Sequence, residues 1–286
     1  LTDEDAEKSY NKMFFSYLNT FKRFELTAIP MSADTGPIGG DLSHEFIILA
    51  ETGESQIYSD KRIFDLDITN HKNDNESIKD LRNKYNKFYA VTDEKFKKEE
   101  FEIKVKKENQ LITKGIEVGH IFYFGDKYSK PLNCSVDLKD GKKVNVKMGS
   151  YGIGVSRLVG AIIEAKFNNN IMKWPQSIAP FEVAIIPSLQ KKDESNYLKA
   201  IKIHQFLIKN NIDVLFDDTN DHLSAKFKKF DLIGIPYQII IGSKSKDDKF
   251  EFKEVNGKVE LLSLEDIKNK LLNKRNFNWF QKLKEK

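Results

Sequence analysis

The chain has 286 residues, with 47 Lys and Arg against 43 Asp and Glu, a net charge of +4 and a pI of about 8.7. That length makes more than one domain the reasonable prior, and the charge balance permits a polyanionic partner without demanding one. A single cysteine, Cys134, excludes an intrachain disulfide framework and a multi-cysteine zinc site. No apolar run approaches the roughly 18 to 20 residues of a membrane span and no signal peptide is visible, so a cytoplasmic protein is the expectation.

Thr2-Asp3-Glu4-Asp5 supplies an N-cap and early acidic residues, and Tyr10, Met13, Phe14, Tyr17, Leu18 and Phe21 recur at helical spacing. The spacing predicts an amphipathic helix over 3–22 with its aromatic stripe in the core. A short strand is expected at 26–31, then a Gly/Pro/Asp-rich loop at 32–41, then a strand over 43–50. Between about 59 and 113 Lys, Asp, Glu and Asn dominate, and a stretch such as 70–76 reads as solvated loop. From Gly115 a β-rich run carries Glu117 and His120. Three residues apart, they fall on opposite faces of a regular strand, unless a bend at Gly119 brings them together. Residues 132–148 read as a hairpin turning at Asp140-Gly141. The second arm delivers Met148-Gly149-Ser150-Tyr151-Gly152-Ile153-Gly154-Val155-Ser156-Arg157, glycines that let a backbone run close to a ligand, and Leu158 to Glu164 reads as a buried helix. In the first turn of that helix, the Arg157 guanidinium suits phosphate oxygens. After Trp174-Pro175 and Ala179-Pro180, strands at 181–187, 212–216 and 237–242 alternate with helices at 197–210, 223–232 and 264–272, an α/β layer with a mainly parallel sheet.

Residues 115–129, the glycine stretch and Trp174 to Phe181 together resemble bacterial prolyl-tRNA synthetases, in which Gly-x-Tyr-Gly-Ile-Gly-Val-x-Arg is the third signature of class II synthetases. Ala33-Asp34-Thr35-Gly36 through Gly39-Gly40, followed by Ser43-His44-Glu45-Phe46, resembles another hallmark of that family, a segment that helps build the amino-acid pocket. The resemblance implies part of a class II antiparallel-sheet catalytic domain over 1–178, with a shortened insertion at 59–113 where many relatives carry an editing domain, and an α/β anticodon-binding domain over 179–286. It implies ATP-dependent activation of proline and its transfer to tRNA(Pro), with Arg157 and Glu117 as catalytic residues. Gly152, Gly154 and Arg157 would bind ATP, and Glu117 would hold Mg²⁺ between its phosphates; Glu117 also reads as a strand-edge carboxylate in a salt bridge. Thr35, His44, Glu45, His120 and Ser150 are the candidates around proline, His120 being equally a hydrogen-bonded structural histidine. Ser150 stands where many relatives have cysteine, so no thiol chemistry there is essential. No editing in cis is expected.

Phe216-Asp217-Asp218, Ser224 to Phe227 and Asp231 to Pro236 resemble the anticodon-binding domain shared by prolyl, threonyl, histidyl and glycyl synthetases. Asp218 and Lys226 are its candidates for base contacts, with structural roles open for both, and Lys228 and Lys229 meet phosphate or solvent. The tail 268–286, with Phe277, Trp279 and Phe280, packs on its own domain or touches RNA. The first two class II signatures, which in the family supply the dimer interface and an α-phosphate arginine, belong before Leu1. The resemblance therefore implies a C-terminal portion, inactive alone and homodimeric when complete. The rivals are another class II synthetase, such as threonyl, and a non-enzymatic tRNA-binding accessory protein. The loop from Ala33 to Gly40 and the lack of zinc-ligand cysteines argue against a threonyl enzyme.

Overall fold

The computed structural model describes residues 1–33, 42–68, 72–189, 194–245 and 248–275. They form two compact units, Leu1–Ala165 and Lys166–Lys286. Residues 166–178, expected within the catalytic domain, fall in the second unit, where Met172 and Trp174 donate backbone hydrogen bonds to Asp231 and Gly234.

In the first unit, α1 (Asp3–Arg23) starts on a capping box in which Thr2 and Asp5 satisfy each other's backbone amides. Its aromatic stripe is core: Phe14, Tyr17 and Phe21 set their rings 5.6, 5.1 and 5.8 Å from that of Phe46. Beneath it lie β1 (Ala28–Ser32), β2 (Leu42–Leu49), β3 (Ser55–Asp60), β4 (Ala90–Thr92), β5 (Gln110–Gly125) and β8 (Met148–Ile153), in the order β2-β1-β4-β3-β5-β8. β2 also pairs with β5, so five strands form a closed circuit of pairings; all contacts are antiparallel except the single β1–β4 bridge. The hairpin β6 (Ser135–Asp137) and β7 (Lys143–Asn145) stands apart, turning at Gly141 with φ +81°.

Two expectations change here. The charge-rich stretch 59–113 is not simply surface: besides β4 it forms α2 (Asn75–Tyr85), capped by Asp74, and α3 (Lys98–Lys104). Tyr89, Val91, Phe101 and Val105 make a small core of their own, joined by Tyr58 and Phe96. The apolar residues are spaced among charges at helical and strand intervals, so composition hides a fold that periodicity carries. Conversely α4 (Val155–Lys166) is buried on one face only, through Leu158, Ala161 and Ile162, while Val155, Val159 and Ile163 are exposed.

The second unit holds the strands β10-β9-β11-β12-β13. β9 (Val183–Pro187), β10 (Val214–Phe216) and β11 (Tyr237–Ile241) are parallel, linked by α5 (Glu194–Lys209) and α6 (Leu223–Ile233). An antiparallel hairpin, β12 (Lys249–Glu254) and β13 (Glu260–Ser263), extends the sheet before α7 (Leu264–Arg275). Val183, Ile185, Ile239 and Ile241 face the α5 and α7 side, and Ala184 and Ile186 face α6 through Phe230. Gly234 ends α6 at φ +79°, where a Cβ would come within 2.6 Å of Met172.

Candidate functional site

The central sheet of the first unit has one face closed by α1 and one open, and strand alternation distributes the candidate residues between them. On β2, Ser43 and Glu45 share the open face, whereas His44 and Phe46 point under α1. His44 therefore parts company with Glu45. Its ring is buried, with Nδ1 2.6 Å from the Tyr10 hydroxyl and Nε2 3.0 Å from Asn86 Oδ1, and burial lowers its pKa to about 4. This fully partnered imidazole is part of the core and lies on the opposite face of β2 from Glu45.

On β5, residues 119, 121, 123 and 125 are buried and 120, 122 and 124 half-buried, the pattern of one open face. The register against β2 jumps between Phe46↔Gly119 and Ile47↔Glu117, leaving Val118 as an extra residue. This bulge resolves the spacing of Glu117 and His120. Both lie on the open face, with His120 Nδ1 3.2 Å from Glu117 Oε1 and 3.8 Å from Glu45 Oε1. Ser43 Oγ closes the other side of the ring, 2.6 Å from Nε2, and Phe122 stacks on it at 3.7 Å.

The glycine stretch lies alongside as β8. Gly152 pairs with His120 and Ser150 with Phe122, placing both on the open face, and both are exposed. A Cβ on Gly152 would meet nothing within 4 Å, so the sheet does not need a glycine there and the space above it is free. Gly154 bonds Val118 O through its amide at 3.0 Å and receives the first helical bond of α4 from Leu158 at 2.8 Å. It thereby sets the helix start that aims Arg157. The Arg157 guanidinium donates to the Glu117 carbonyl at 3.0 Å and lies 3.5 Å from Glu117 Oε2, yet remains about half exposed. Hydrogen bonding from His120 holds the Glu117 carboxyl below the usual carboxylate range, helped by Arg157, whereas burial pushes Glu45 up. The carboxyls of the two acids on this face are thus shifted in opposite directions.

Beside this cluster opens a cleft of about 510 Å³, lined by Thr52 and Glu54 from the β2–β3 turn and by Glu117, Arg157, Gly160 and Ile163. Among the described residues, no three His, Cys, Asp or Glu side chains gather to hold a metal by themselves. Thr35 lies outside the described residues. Ser43 is the site residue that sequence reading missed; its pairing with Phe122, next to the Glu45–His120 pair, is visible only once β2 and β5 are in register.

In the second unit Asp218 is exposed at the end of β10, and Lys226 is completely buried. The Lys226 ammonium donates to Pro187 O at 3.0 Å and Asp217 O at 3.3 Å and lies 3.4 Å from Asp217 Oδ1. Its side chain is turned inward and exposes no surface. Burial pushes the Asp217 carboxyl up, but hydrogen bonds from Lys229 and Thr219 outweigh it and hold the group low. Half-buried beside it, the Lys229 ammonium lies 2.7 Å from Asp217 Oδ2. Of the tail, Phe277, Trp279 and Phe280 lie outside the described residues. No helix among the described residues is long and apolar enough to cross a membrane.

Two family models match the chain. One, the tRNA synthetase class II core domain (G, H, P, S and T), covers residues 2–166, and the other, an anticodon binding domain, covers 182–274. A proline–tRNA ligase of Pelagibacter ubique is 63% identical over 269 residues, 93% of this chain and 61% of the relative. Those of Parvibaculum lavamentivorans and Bartonella bacilliformis are 48% and 47% identical, over 92% and 94% of this chain and 60% and 62% of theirs. The chain thus spans about three fifths of the length of the curated relatives it matches. With a core-domain match across more than half its length, over the sheet that carries Glu117 and the helix that carries Arg157, the chain belongs to the class II tRNA synthetases of the G, H, P, S and T group.

Proposed function

We propose that the chain supplies the pocket-building and anticodon-reading parts of a prolyl-tRNA synthetase, which activates proline with ATP and transfers it to tRNA(Pro) in the cytoplasm as a homodimer. The observation that carries this reading is the grouping of Glu117, Arg157, Glu45 and the glycine strand on one open sheet face, in a chain 63% identical to a proline–tRNA ligase.

Activation is attack of the proline carboxylate on the α-phosphorus of ATP with departure of pyrophosphate, a reaction in which a protein mostly positions and neutralises charge. Arg157, half exposed and anchored on Glu117, is placed for the γ-phosphate; Gly152 keeps the floor clear beside it. Glu45 suits the secondary ammonium of proline, with Thr35, His120 and Ser150 completing the pocket wall. Glu117, its carboxyl held below the usual range, would hold Mg²⁺, since such ions are commonly held by one or two carboxylates. That ion would neutralise developing phosphate charge. Asp218 and the α6 cations Lys228 and Lys229 face the anticodon loop, and residues 59–113, in place of an editing domain, leave mischarged tRNA untouched.

The test is proline-dependent exchange of pyrophosphate into ATP by the full-length protein, together with binding of this chain to tRNA(Pro) and to the same tRNA with its two anticodon guanines replaced, at fixed salt. Exchange with proline and loss of binding on replacement are expected; exchange with a different amino acid, or equal binding to both tRNAs, would overturn the reading.

A further inference from the structure

Resting on that reading, we propose that Ser43 is a positioning residue of the site: its hydroxyl fixes the ring of His120, and through the ring the orientation of Glu117 and hence of Arg157. The chain of contacts is continuous. Ser43 Oγ is 2.6 Å from His120 Nε2, His120 Nδ1 is 3.2 Å from Glu117 Oε1, and Glu117 receives Arg157 on both its carbonyl and its carboxylate.

The donors and acceptors allow one arrangement. Glu117, whose carboxylate lies 3.2 Å from Nδ1, is the acceptor on that side of the ring, so Nδ1 carries a proton. With that proton on Nδ1, Nε2 is the nitrogen left to accept, and Ser43, 6% exposed and 2.6 Å away, is the donor placed to satisfy it. Stacking on Phe122 fixes the ring plane but tolerates a half-turn about Cβ–Cγ that exchanges the two nitrogens. Ser43 breaks that symmetry. A hydroxyl without a partner at Nδ1's position would be no substitute, because carboxylates occupy that side.

His120 thus has both nitrogens engaged by protein groups and acts on the site as a strut. Ser43 sits on the rigid β2–β5 pairing, opposite Phe122 and next to the Glu45–His120 pair, and its own carbonyl receives the Ala33 amide at 3.2 Å. The support is therefore built into the sheet and does not depend on a ligand. Such outer supports of a working group commonly change activity by about 10- to 100-fold when removed.

The experiment has two arms. In this chain, ¹⁵N spectra of the His120 ring are recorded for wild type, Ser43→Ala and Ser43→Thr at one neutral pH. Wild type and Ser43→Thr should show the proton on Nδ1, and Ser43→Ala a mixture of both tautomers. In the full-length protein, Ser43→Ala should lower kcat of pyrophosphate exchange about tenfold with KM for ATP and proline nearly unchanged, and Ser43→Thr should restore it. If Ser43→Ala melts the unit, Ser43→Cys, similar in size with a weaker donor, carries the same comparison. An unaltered His120 spectrum in the alanine variant overturns the proposal, as does a loss of rate that threonine fails to restore. Exchange driven by an amino acid other than proline would overturn the assigned substrate while the spectra still supported Ser43.

Discussion

Replacing Lys226 by Met separates an internal role from a surface one. The side chain is 0% exposed, and its ammonium serves two backbone carbonyls, Pro187 O and Asp217 O, besides the Asp217 carboxylate. Met fills a similar volume but donates nothing. Each buried carbonyl left without its donor costs about 1–3 kcal/mol. Asp217 keeps Lys229 at 2.7 Å and Thr219 Oγ1 at 2.6 Å, so its charge is not stranded. For the two carbonyls the sum is about 2–6 kcal/mol, bracketing the roughly 3–5 kcal/mol seen when one partner of a buried pair is removed. In a domain of this size that corresponds to a fall in Tm of roughly 15 °C or more. Trp174 lies in the second unit and residues 1–165 contain no tryptophan, so urea unfolding followed by tryptophan fluorescence does not report the first unit. A stability change below about 1 kcal/mol, with tRNA affinity lost, would refute the reasoning and return Lys226 to the RNA surface.

Arg157→Ala in the full-length protein is expected to lower pyrophosphate exchange about a hundredfold or more, since it removes a charged contact from the reacting phosphates; near-normal exchange would remove Arg157 from the site. Gly152→Ala should leave the melting temperature of this chain within about a degree, because its methyl meets open space, and should weaken ATP-dependent exchange severalfold by filling that space. His44, with its folded pKa lowered to about 4 from 6.5, takes up a proton in the unfolded chain first. Its contribution is therefore complete above pH 6.5 and lost as pH falls toward 4, a loss of about 3 kcal/mol at roughly 1.4 per unit. Unfolding midpoints measured from pH 7 to 4 should show that decline in wild type and a shallower one in His44→Asn; parallel curves would contradict it.

Much of this architecture is legible in the chain because local signals and tertiary packing agree. Thr2 and the aromatic spacing announce α1, Asp140-Gly141 announces the hairpin, and Gly154 followed by an apolar run announces α4. Reading fails where the determining contact is remote. Nothing near Val118 marks it as the residue the ladder skips, since the bulge exists only in relation to Phe46 and Ile47 on another strand. Likewise, whether Lys226 faces water or Pro187 depends on where β9 ends, and His44 goes inward because Phe14 and Tyr10 arrive from α1. β12, with Lys, Phe, Glu and Phe in alternation, had a usable strand signal that its charge obscured.

The two-faced character of β2 has a consequence for how variation along it would be tolerated. Ser43 and Glu45 look toward the chemistry, His44 and Phe46 toward the α1 core. A saturation library across these four codons, sorted once for folded yield and once for turnover, would give two traces of period two in antiphase. Neighbouring codons would answer to different selections, and a frame of a single residue would separate what the cell can keep folded from what it can use.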